Sequence, residues 1–576
     1  MASTPPNRGP QRQVFADGVE NPPAPQRLPL DGAAETPPSP RPWWQRALGL
    51  LNPAHSHSAF SASVLLATSS IVSALVGLAR GKYIAWIFGA GPQTDAYMAA
   101  FRLPDLMNNF LVGGAVSITF ITILNRYRER GQEAEGERVL FTVLNLMVLV
   151  LTAASIALMF LAAPFIRWTN PGFTAQEVAL SARMTQILLP GQIFLFAGSV
   201  LGATLLVRKQ FLYQAATPII YNLSIIAAGV FLHRQFGIRS LALGATSGFL
   251  LGSLFINAWG VARAGIRYRW QIDLGHPGLR IWLFMTLPLM FGFTLPFLDQ
   301  YFAGYYASHG AGDITRLANA KQIFSAPMTM LAQAAGVASM PFFAQLWAKE
   351  KRFEFATGVA DSASRVVALG FLAASLMIAL SHSIAGLIFG GGRFTPADVN
   401  STALFFALYT ISLFAWSAQA IYARAFYAAG ITWLPMLAST IILLIAFPLY
   451  GLGWKLSGAA GLALASDAGI ALQALTLAGL LHLRRMVSLA SLDYREMGRC
   501  LLAAIASGAA TWLLAWALGS AFRHLPSIVR MYGARYWTES AILIAGAVLW
   551  TVIAKWILLK SGSALPKVTM KRLGLA

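Results

Sequence analysis

The chain has 576 residues, of which 57% are hydrophobic and only 11% are charged. An ordinary soluble domain has about 25% charged residues, and so large an apolar excess does not fit inside one globular core. Together with a mean hydropathy of +0.60, this composition excludes a soluble enzyme, a disordered chain and a fibrous protein. It predicts a membrane protein, in which the net charge of +21 reflects basic cytoplasmic loops rather than a nucleic-acid-binding surface. The single cysteine, Cys500, excludes an internal disulfide and a thiolate metal cluster.

The first 58 residues differ from the rest because they are rich in proline and contain no apolar run before Trp43. Such a segment buries too little surface to offset its ordering entropy, so we predict that 1–58 is a disordered cytoplasmic tail. It lacks the short apolar core of a signal peptide. Residues 43–51 could form a short interfacial helix or a plain linker, and the sequence leaves both open.

Fourteen later segments are long and apolar enough to cross a bilayer, which takes about 20 residues each. These predicted spans 1 to 14 are residues 60–88, 96–125, 139–166, 177–207, 212–232, 240–262, 281–307, 313–347, 354–389, 397–428, 433–453, 458–482, 498–521 and 538–559. With both termini in the cytoplasm, the outer loops hold eight Lys and Arg residues, and the inner segments hold about three times as many. This asymmetry supports the division into spans and that orientation.

The two halves of the chain resemble each other at a shift of about 221 residues. The segment beginning Phe173-Thr174 matches Phe394-Thr395, and Leu241-Ala242-Leu243 matches Leu462-Ala463-Leu464. Spans 1–6 therefore pair with spans 7–12, in the same orientation because six is even. We predict an all-α fold with an N-lobe at 59–265, a C-lobe at 278–485, two further helices at 495–560 and a cytoplasmic tail at 561–576. Two such lobes suit alternating access, whereas a duplicated scaffold without transport is the alternative.

Polar residues inside the spans mark candidate functional positions, because charges in a bilayer are costly and usually face a cavity or a partner. They form stripes at helical spacing on spans 1, 2 and 8, and one acid stands alone on span 7. The residues are Ser69, Ser73, Gly77 and Arg80; Arg102, Asp105 and Asn109; Lys321, Ser325, Thr329 and Gly336; and Asp299. If these faces meet, they enclose a cationic, hydroxyl-lined space suited to an anion, notably a phosphate.

Structural explanations compete with this interpretation for several residues. Arg102 and Asp105 could pair with each other, and Lys82 could reach the outer interface without touching substrate. Asp361 and Arg365 have the spacing of an ion pair on one helix. Arg80, Lys321 and Asp299 are the residues that such pairing explains least.

The sequence contains no phosphate-binding G-x-x-x-x-G-K-[ST] motif, no H-E-x-x-H motif and no soluble catalytic domain. The chain is therefore expected to be a transporter and not an enzyme. It is expected to need no cofactor and to draw energy from the membrane potential or an ion gradient, with the ion unspecified.

One stretch, residues 77–115, resembles a known family in detail. The resemblance rests on Gly77-Leu78-Ala79-Arg80, Ile87-Phe88-Gly89-Ala90-Gly91, Thr94-Asp95-Ala96-Tyr97, Ala100-Phe101-Arg102-Leu103-Pro104-Asp105-Leu106 and Gly114-Ala115. These segments are similar to the MurJ/MviN family of lipid II flippases, within the multidrug/oligosaccharidyl-lipid/polysaccharide exporter superfamily. Pro327, Gly336-Val337-Ala338 and Pro341 extend the similarity to span 8.

This resemblance implies transfer of the undecaprenyl-pyrophosphate-linked disaccharide peptide to the outer leaflet of a bacterial cytoplasmic membrane. It implies a cavity formed by spans 1, 2, 7 and 8 and a groove for the lipid tail at spans 13 and 14. It implies partners among membrane lipids and cell-wall synthesis enzymes, and none among nucleic acids. The candidate substrate-binding residues are Arg80, Asp95, Asn108, Arg102, Asp299, Lys321 and Gln322.

The sequence departs from the family at five positions that bear on the substrate. Family arginines align with Ala74, with Asn108 and near Gln322, and family acids align with Gly113 and Ser325. Because the predicted cavity has fewer basic residues than the family pattern, three alternative functions stay open. They are a flippase for another polyprenyl-linked glycan, a cation-coupled exporter of small drugs, and a non-transporting scaffold for cell-wall enzymes.

Overall fold

The computed structural model describes residues 59–111, 115–290, 295–523 and 534–565, and the regular elements in those ranges are helices. The predicted tail 1–58, its segment 43–51, the family position Gly113 and most of the tail 561–576 lie outside the described residues. Helices are the expected result for a chain in lipid, because a helix satisfies its own backbone hydrogen bonds where no water is available.

The described residues of the first half form eight helices. They are α1 Ala59–Phe88, α2 Pro92–Ala100, α3 Arg102–Leu111, α4 Ala115–Glu129, α5 Glu133–Thr169, α6 Ala175–Val207, α7 Leu212–Phe236 and α8 Arg239–Arg263.

Within the described ranges, the second half forms eight helices, and two more follow it. The second half contains α9 Pro277–Met290, α10 Leu295–Ala307, α11 Asp313–Ala348, α12 Arg352–Ala379, α13 Ser381–Phe389, α14 Pro396–Ile411, α15 Leu413–Ala428 and α16 Trp433–Leu483. The last two are α17 Tyr494–Arg523 and α18 Ala534–Lys560.

Ten helices within the described ranges are long and apolar enough to cross a membrane, and eleven if the bent pair α14–α15 is one span. The predicted span 96–125 corresponds to α2, α3 and α4, of which α2 and α3 are separated at Phe101. Residues 112–114, between α3 and α4, lie outside the described residues. The predicted spans 433–453 and 458–482 are merged in α16, which changes direction at Ser457 and Gly458. The chain is thus a multi-pass all-helical membrane protein, and the count of fourteen stays a prediction.

The internal repeat is visible in how corresponding helices begin. Thr174 caps α6 by accepting a hydrogen bond from the Glu177 backbone at 3.3 Å, and the Glu177 carboxylate accepts one from the Thr174 backbone at 2.8 Å. At the matching position, Thr395 and Asp398 form the same reciprocal box at the start of α14, with distances of 3.2 and 2.9 Å. A capping box satisfies two backbone donors that a helix start leaves free.

A second repeated feature is a glycine with positive φ at the sharp turn between two helices. Gly237, between α7 and α8, has φ 56° and ψ −138°, and Gly458, inside α16, has φ 58° and ψ −137°. The two positions are separated by the shift that relates the sequence segments. Glycine adopts this left-handed conformation without the steric penalty of a Cβ. The two halves therefore share backbone geometry as well as sequence.

Each half has its own apolar cores. Phe120, Phe141 and Phe196 belong to a core of the first half, whereas Phe355 and Phe426 belong to one of the second half. The first helix of the second half, α9, packs on the first half, where its fully buried Trp282 lies against Phe120 with ring centroids 5.9 Å apart. The lobe boundaries 59–265, 278–485 and 495–560 stay predictions.

Candidate functional site

A cavity of about 300 Å³ lies between the two halves. Residues of α1, α2, α3 and α7 line it from the first half, and residues of α10, α11 and α14 from the second. Five of the predicted site residues are in its wall: Arg80, Arg102, Asp299, Lys321 and Gln322. Three of these five are cations, so the cavity can hold an anion.

Arg80 lies on α1, half-buried, with its guanidinium carbon 6.0 Å from the centre of the Tyr221 ring on α7. A guanidinium at this distance from an aromatic face gains a cation–π attraction. The Tyr221 ring therefore orients Arg80, and the guanidinium N–H groups remain available to a ligand in the cavity.

Arg102 is more strongly fixed. Its side chain is buried and donates to the backbone oxygen of Thr169 at 3.3 Å and to the Asn170 side chain at 2.5 Å. It passes directly over Gly304, where a Cβ would collide with its Nη2. Among the described residues no ion pair joins Arg102 to Asp105, although both line the cavity. The predicted alternative, in which those two residues neutralise each other, is therefore not what the structure has.

Asp299 and Lys321 form an ion pair between α10 and α11. The carboxylate is buried, and it also accepts a hydrogen bond from the hydroxyl group of Tyr450 on α16. The Lys321 side chain keeps 32% of its surface exposed, on the cavity side. Of the three charged residues that pairing explained least from the sequence, Asp299 and Lys321 are thus paired with each other.

Asp467 on α16 is a second buried acid near this pair, and it interacts electrostatically with both Asp299 and Lys321. One of its oxygens, Oδ2, is buried and has no hydrogen-bond partner among the described residues. Asp299 is the ion-pair partner of Lys321, and a second buried acid near this pair was not expected from the sequence.

Asp95 lies outside the cavity wall, at one end of the cavity. Its buried carboxylate accepts hydrogen bonds from the backbone of Gly312 at 2.6 Å and of Thr315 at 2.8 Å, and from the Thr315 hydroxyl at 2.6 Å. These donors belong to the first turn of α11, whose unpaired backbone N–H groups attract an anion. Asp95 therefore joins the first half to the second.

Backbone contacts close the same end of the cavity. The Arg393 backbone donates to the Trp86 oxygen at 2.9 Å, and the Gly172 backbone donates to Ser308 Oγ at 3.0 Å. We call these contacts between the halves, together with the hydrogen bonds of Asp95 to Gly312 and Thr315, the seal. A solute in the cavity cannot leave through this end without breaking it.

The remaining predicted positions do not face the cavity. Asn108 is half-buried on α3 and is not among the lining residues. In the stripe on α1, Ser69 donates to the Ala215 oxygen, and Ser73 accepts a bond of 3.5 Å from Asn222. That stripe packs on α7, and of its four members Arg80 is the one that lines the cavity.

Several cavity residues were missed from the sequence, namely Tyr97, Tyr221, Gln300, Asn319 and Tyr409. Gln300 directly follows Asp299, and Asn319 lies two positions before Lys321, so proximity to the charged candidates was the available signal. The tyrosines gave no signal, because aromatic residues are frequent in membrane spans.

An apolar groove of about 450 Å³ lies beside α17. Phe371 on α12, Phe414 on α15, and Leu501 and Trp512 on α17 line it. The groove has the chemistry to accept a hydrocarbon chain.

The described residues contain no group of three or more His, Cys, Asp or Glu side chains that could hold a metal ion. What the site offers instead is three cations, two acids and several polar side chains around a space between two lobes, and one of the acids, Asp299, is paired with Lys321.

Comparison with known proteins gives a consistent result. A family model described as "Lipid II flippase MurJ" matches residues 84–529, which is more than half of the chain. A probable lipid II flippase MurJ of Rickettsia prowazekii is 27% identical over 66% of this chain and 75% of its own length. One from Vibrio cholerae is 23% identical over 78% of this chain and 88% of its own length.

Solved structures show the same fold. A lipid II flippase MurJ in an inward closed conformation has a TM-score of 0.69 at 19% identity and covers 86% of this chain and 99% of its own. An inward-facing multidrug resistance MATE family transporter has a TM-score of 0.59 at 15% identity, covering 74% of this chain and 98% of its own.

Proposed function

Because this chain belongs to the lipid II flippase MurJ family, we propose that it moves lipid II from the inner to the outer leaflet of a bacterial cytoplasmic membrane. The observation that carries the proposal is the cation-lined cavity between the two halves, closed at one end by the seal. Lipid II is an anion through its pyrophosphate, and a cationic space inside the membrane offsets the cost of moving that charge.

Arg80 is the residue best suited to hold the pyrophosphate, because it lines the cavity and forms no ion pair with an acid among the described residues. Lys321 is the second cation, and it can bind phosphate when its ion pair with Asp299 is broken. Arg102 contributes positive charge while its side chain remains bound to Asn170. A guanidinium and an ammonium together provide a planar donor set and a point charge for two phosphate groups.

The cavity of about 300 Å³ is at the lower limit for drug-sized ligands, and a disaccharide peptide is larger. The lobes must therefore separate to admit the head group, in keeping with the likeness to an inward closed structure. We propose alternating access, in which the seal opens when the head group leaves on the other side.

The seal residues lie in loops that the Lys/Arg asymmetry assigns to the outer side. The Arg393–Trp86 hydrogen bond joins the end of span 1 to the loop after span 9, and the Gly172–Ser308 bond joins the loops after spans 3 and 7. We therefore propose that the sealed end faces outward and that both termini are cytoplasmic.

The polyprenyl tail would stay in the lipid along the apolar groove beside α17, because that surface offers hydrocarbon contact outside the polar cavity. The membrane potential assists the movement, since an anion leaving a negative-inside cell gains about 2.3 kcal/mol per charge at 100 mV. No cofactor is needed in this scheme. Cell-wall synthesis enzymes are proposed partners that would supply or use the lipid.

A flippase for another polyprenyl-linked glycan is the second candidate. The observation that favours it is the neutral character of Asn108 and Gln322, where the family pattern has basic residues. Gln322 lines the cavity and donates to the Gly77 oxygen at 3.3 Å, so it joins the halves instead of adding charge. A drug exporter for cations and a scaffold without transport are less consistent with three basic residues around one cavity.

Complementation tests the proposal. The chain is expressed in a bacterium depleted of its own lipid II flippase, with membrane insertion checked by a fluorescent C-terminal fusion. Growth and normal cell shape are expected for the wild type and loss of both for Arg80→Ala. Failure of a correctly inserted wild-type chain would reject lipid II as cargo and favour another glycan.

A further inference from the structure

Lys82 on α1 makes a contact between the halves that the proposed transport cycle does not yet use. Its Nζ donates to the backbone oxygens of Leu387 at 3.1 Å and Gly390 at 3.0 Å. Leu387 lies in the last turn of α13 and Gly390 immediately follows that helix. The first half thus places an ammonium group at the C-terminus of a helix of the second half.

The last carbonyl groups of a helix have no partner within the helix, and together they carry partial negative charge. A cation is stabilised at that position. Lys82 therefore satisfies two oxygens of α13 through charge-assisted hydrogen bonds, which are stronger than neutral ones.

This contact has a counterpart of opposite sign. Asp95, also from the first half, occupies the N-terminus of α11, which carries partial positive charge. The first half thus holds one helix of the second half by its positive end and another by its negative end. Both bonds exist only while the halves are together at the seal.

We propose that Lys82 is a positioning residue of the seal, which stabilises the closed outer end by binding the C-terminus of α13. This inference rests on the proposed function for its meaning in the transport cycle. When the outer end opens, Lys82 must give up both carbonyl oxygens, so its loss shifts the conformational equilibrium toward the outward-open state.

The surroundings of Lys82 favour a fixed cation at this point. Its Nζ lies 4.7 Å from the centre of the Tyr536 ring on α18 and makes a cation–π contact with that ring. Lys82 consequently contacts α13 and α18 at once. The position of α18 thus influences how firmly Lys82 closes the seal.

The test measures the seal directly and needs no lipid II. In a Cys500→Ala background, which removes the chain's one cysteine, Ala303→Cys places a reporter thiol in the cavity wall. A membrane-impermeant maleimide is added to the outside of intact cells. Lys82→Met is expected to raise the rate of labelling several-fold, and Lys82→Arg is expected to leave it near that of the parent.

Two further variants calibrate the result. Asp95→Asn weakens the opposite contact and is expected to raise labelling as well, and the double variant should show the product of the two effects, because both act on one equilibrium. Lys455→Met removes a lysine of α16 that takes no part in the seal and is expected to change nothing. Labelling of Lys82→Met at the parental rate, with Asp95→Asn raised, would overturn the proposal.

A general loss of folding is separated by thermal unfolding of the detergent-purified variants. Lys82→Met, Lys82→Arg and Lys455→Met should each unfold cooperatively, well above the temperature of the labelling assay. A higher labelling rate in Lys82→Met then reports an open seal and not an unfolded chain. If complementation fails while these labelling results hold, the cargo assignment is wrong and the role of Lys82 stands.

Discussion

The carboxylate of Asp299 on α10 is bound at once by the ammonium of Lys321 on α11 and by the hydroxyl group of Tyr450 on α16. The acid is buried, whereas Lys321 remains in contact with the cavity. A phosphate that enters the cavity therefore meets a lysine whose charge is already in use. Exchange of one anion for the other would keep the lysine neutralised and would link substrate arrival to movement of α10 against α11.

The first prediction is that Asp299→Asn separates binding from flipping. Without the competing carboxylate, Lys321 stays available to phosphate, so the variant should bind lipid II at least as tightly as the wild type. Release should become slow, and flipping should be lost or shifted in its pH dependence. Both quantities can be measured on protein reconstituted into vesicles.

Asp361→Asn is the matched control, because Asp361 is an exposed acid whose partner, Arg365, lies 4.0 Å away on the same helix. That variant should insert, bind and flip normally. Wild-type flipping by a normally inserted Asp299→Asn variant would show that the Asp299–Lys321 pair only holds the helices in place.

The second prediction concerns Arg80, the cation of the cavity wall that rests on Tyr221. Arg80→Ala should weaken binding of lipid II by about 10- to 100-fold, since a hydrogen bond to a charged group contributes roughly 1.5–3 kcal/mol. Arg365→Ala, which removes an exposed arginine, should leave binding unchanged. Equal affinities for the wild type and Arg80→Ala in a direct binding measurement would remove Arg80 from the site.

Much of the fold could be predicted from the sequence, because hydrophobic length and charge asymmetry reflect the bilayer directly. The repeat was also readable, since Thr174 and Thr395 begin corresponding helices with the same capping chemistry. The break of the second span at Phe101, between α2 and α3, was not readable, because apolar composition does not reveal where a helix bends.

The candidate site was predictable only in part. Unusual charges in apolar segments led to Arg80, Arg102, Lys321 and Asp299, which do line one cavity. A stripe on a helix does not reveal which neighbour it faces, so Ser69 and Ser73 were expected at the cavity and instead form hydrogen bonds with residues of α7. The role of Asp95 depends on a helix end about 220 residues further along the chain, a relationship that no local pattern contains.

The third prediction uses the repeated capping boxes. Thr174→Ala and Thr395→Ala each remove the side chain that accepts a bond from the third residue of the helix. Each should lower the stability by about 1 kcal/mol, the typical loss for such a cap. Thermal unfolding of the detergent-purified variants should show two similar decreases. Thr357→Ala is the control, because the exposed Thr357 hydroxyl donates to the Phe353 oxygen within α12 and lies away from the capping position.

An unchanged melting temperature for both cap variants would mean that the neighbouring helices, and not the caps, fix the starts of α6 and α14. A decrease for one variant alone would show that the capping box contributes to stability in one half and not in the other.

The last prediction addresses the close approach of the halves at Gly392. Its φ is +60°, and a Cβ at this position would collide with the backbone oxygen of Trp86 on α1. Gly392→Ala therefore carries two penalties: the strain of a left-handed alanine, about 1 kcal/mol, and a collision with the opposite half.

Gly430→Ala is a matched control, since φ is +77° there and a methyl group added at that position would have nothing within 4 Å. Both variants should lose similar stability from backbone strain, but Gly392→Ala alone should force the seal apart and increase outside labelling of the Ala303→Cys reporter. Equal labelling of the two glycine variants would indicate that the loop at 390–393 can move away from Trp86 without opening the cavity, and closure would then rest on the contacts made by Asp95 and Lys82.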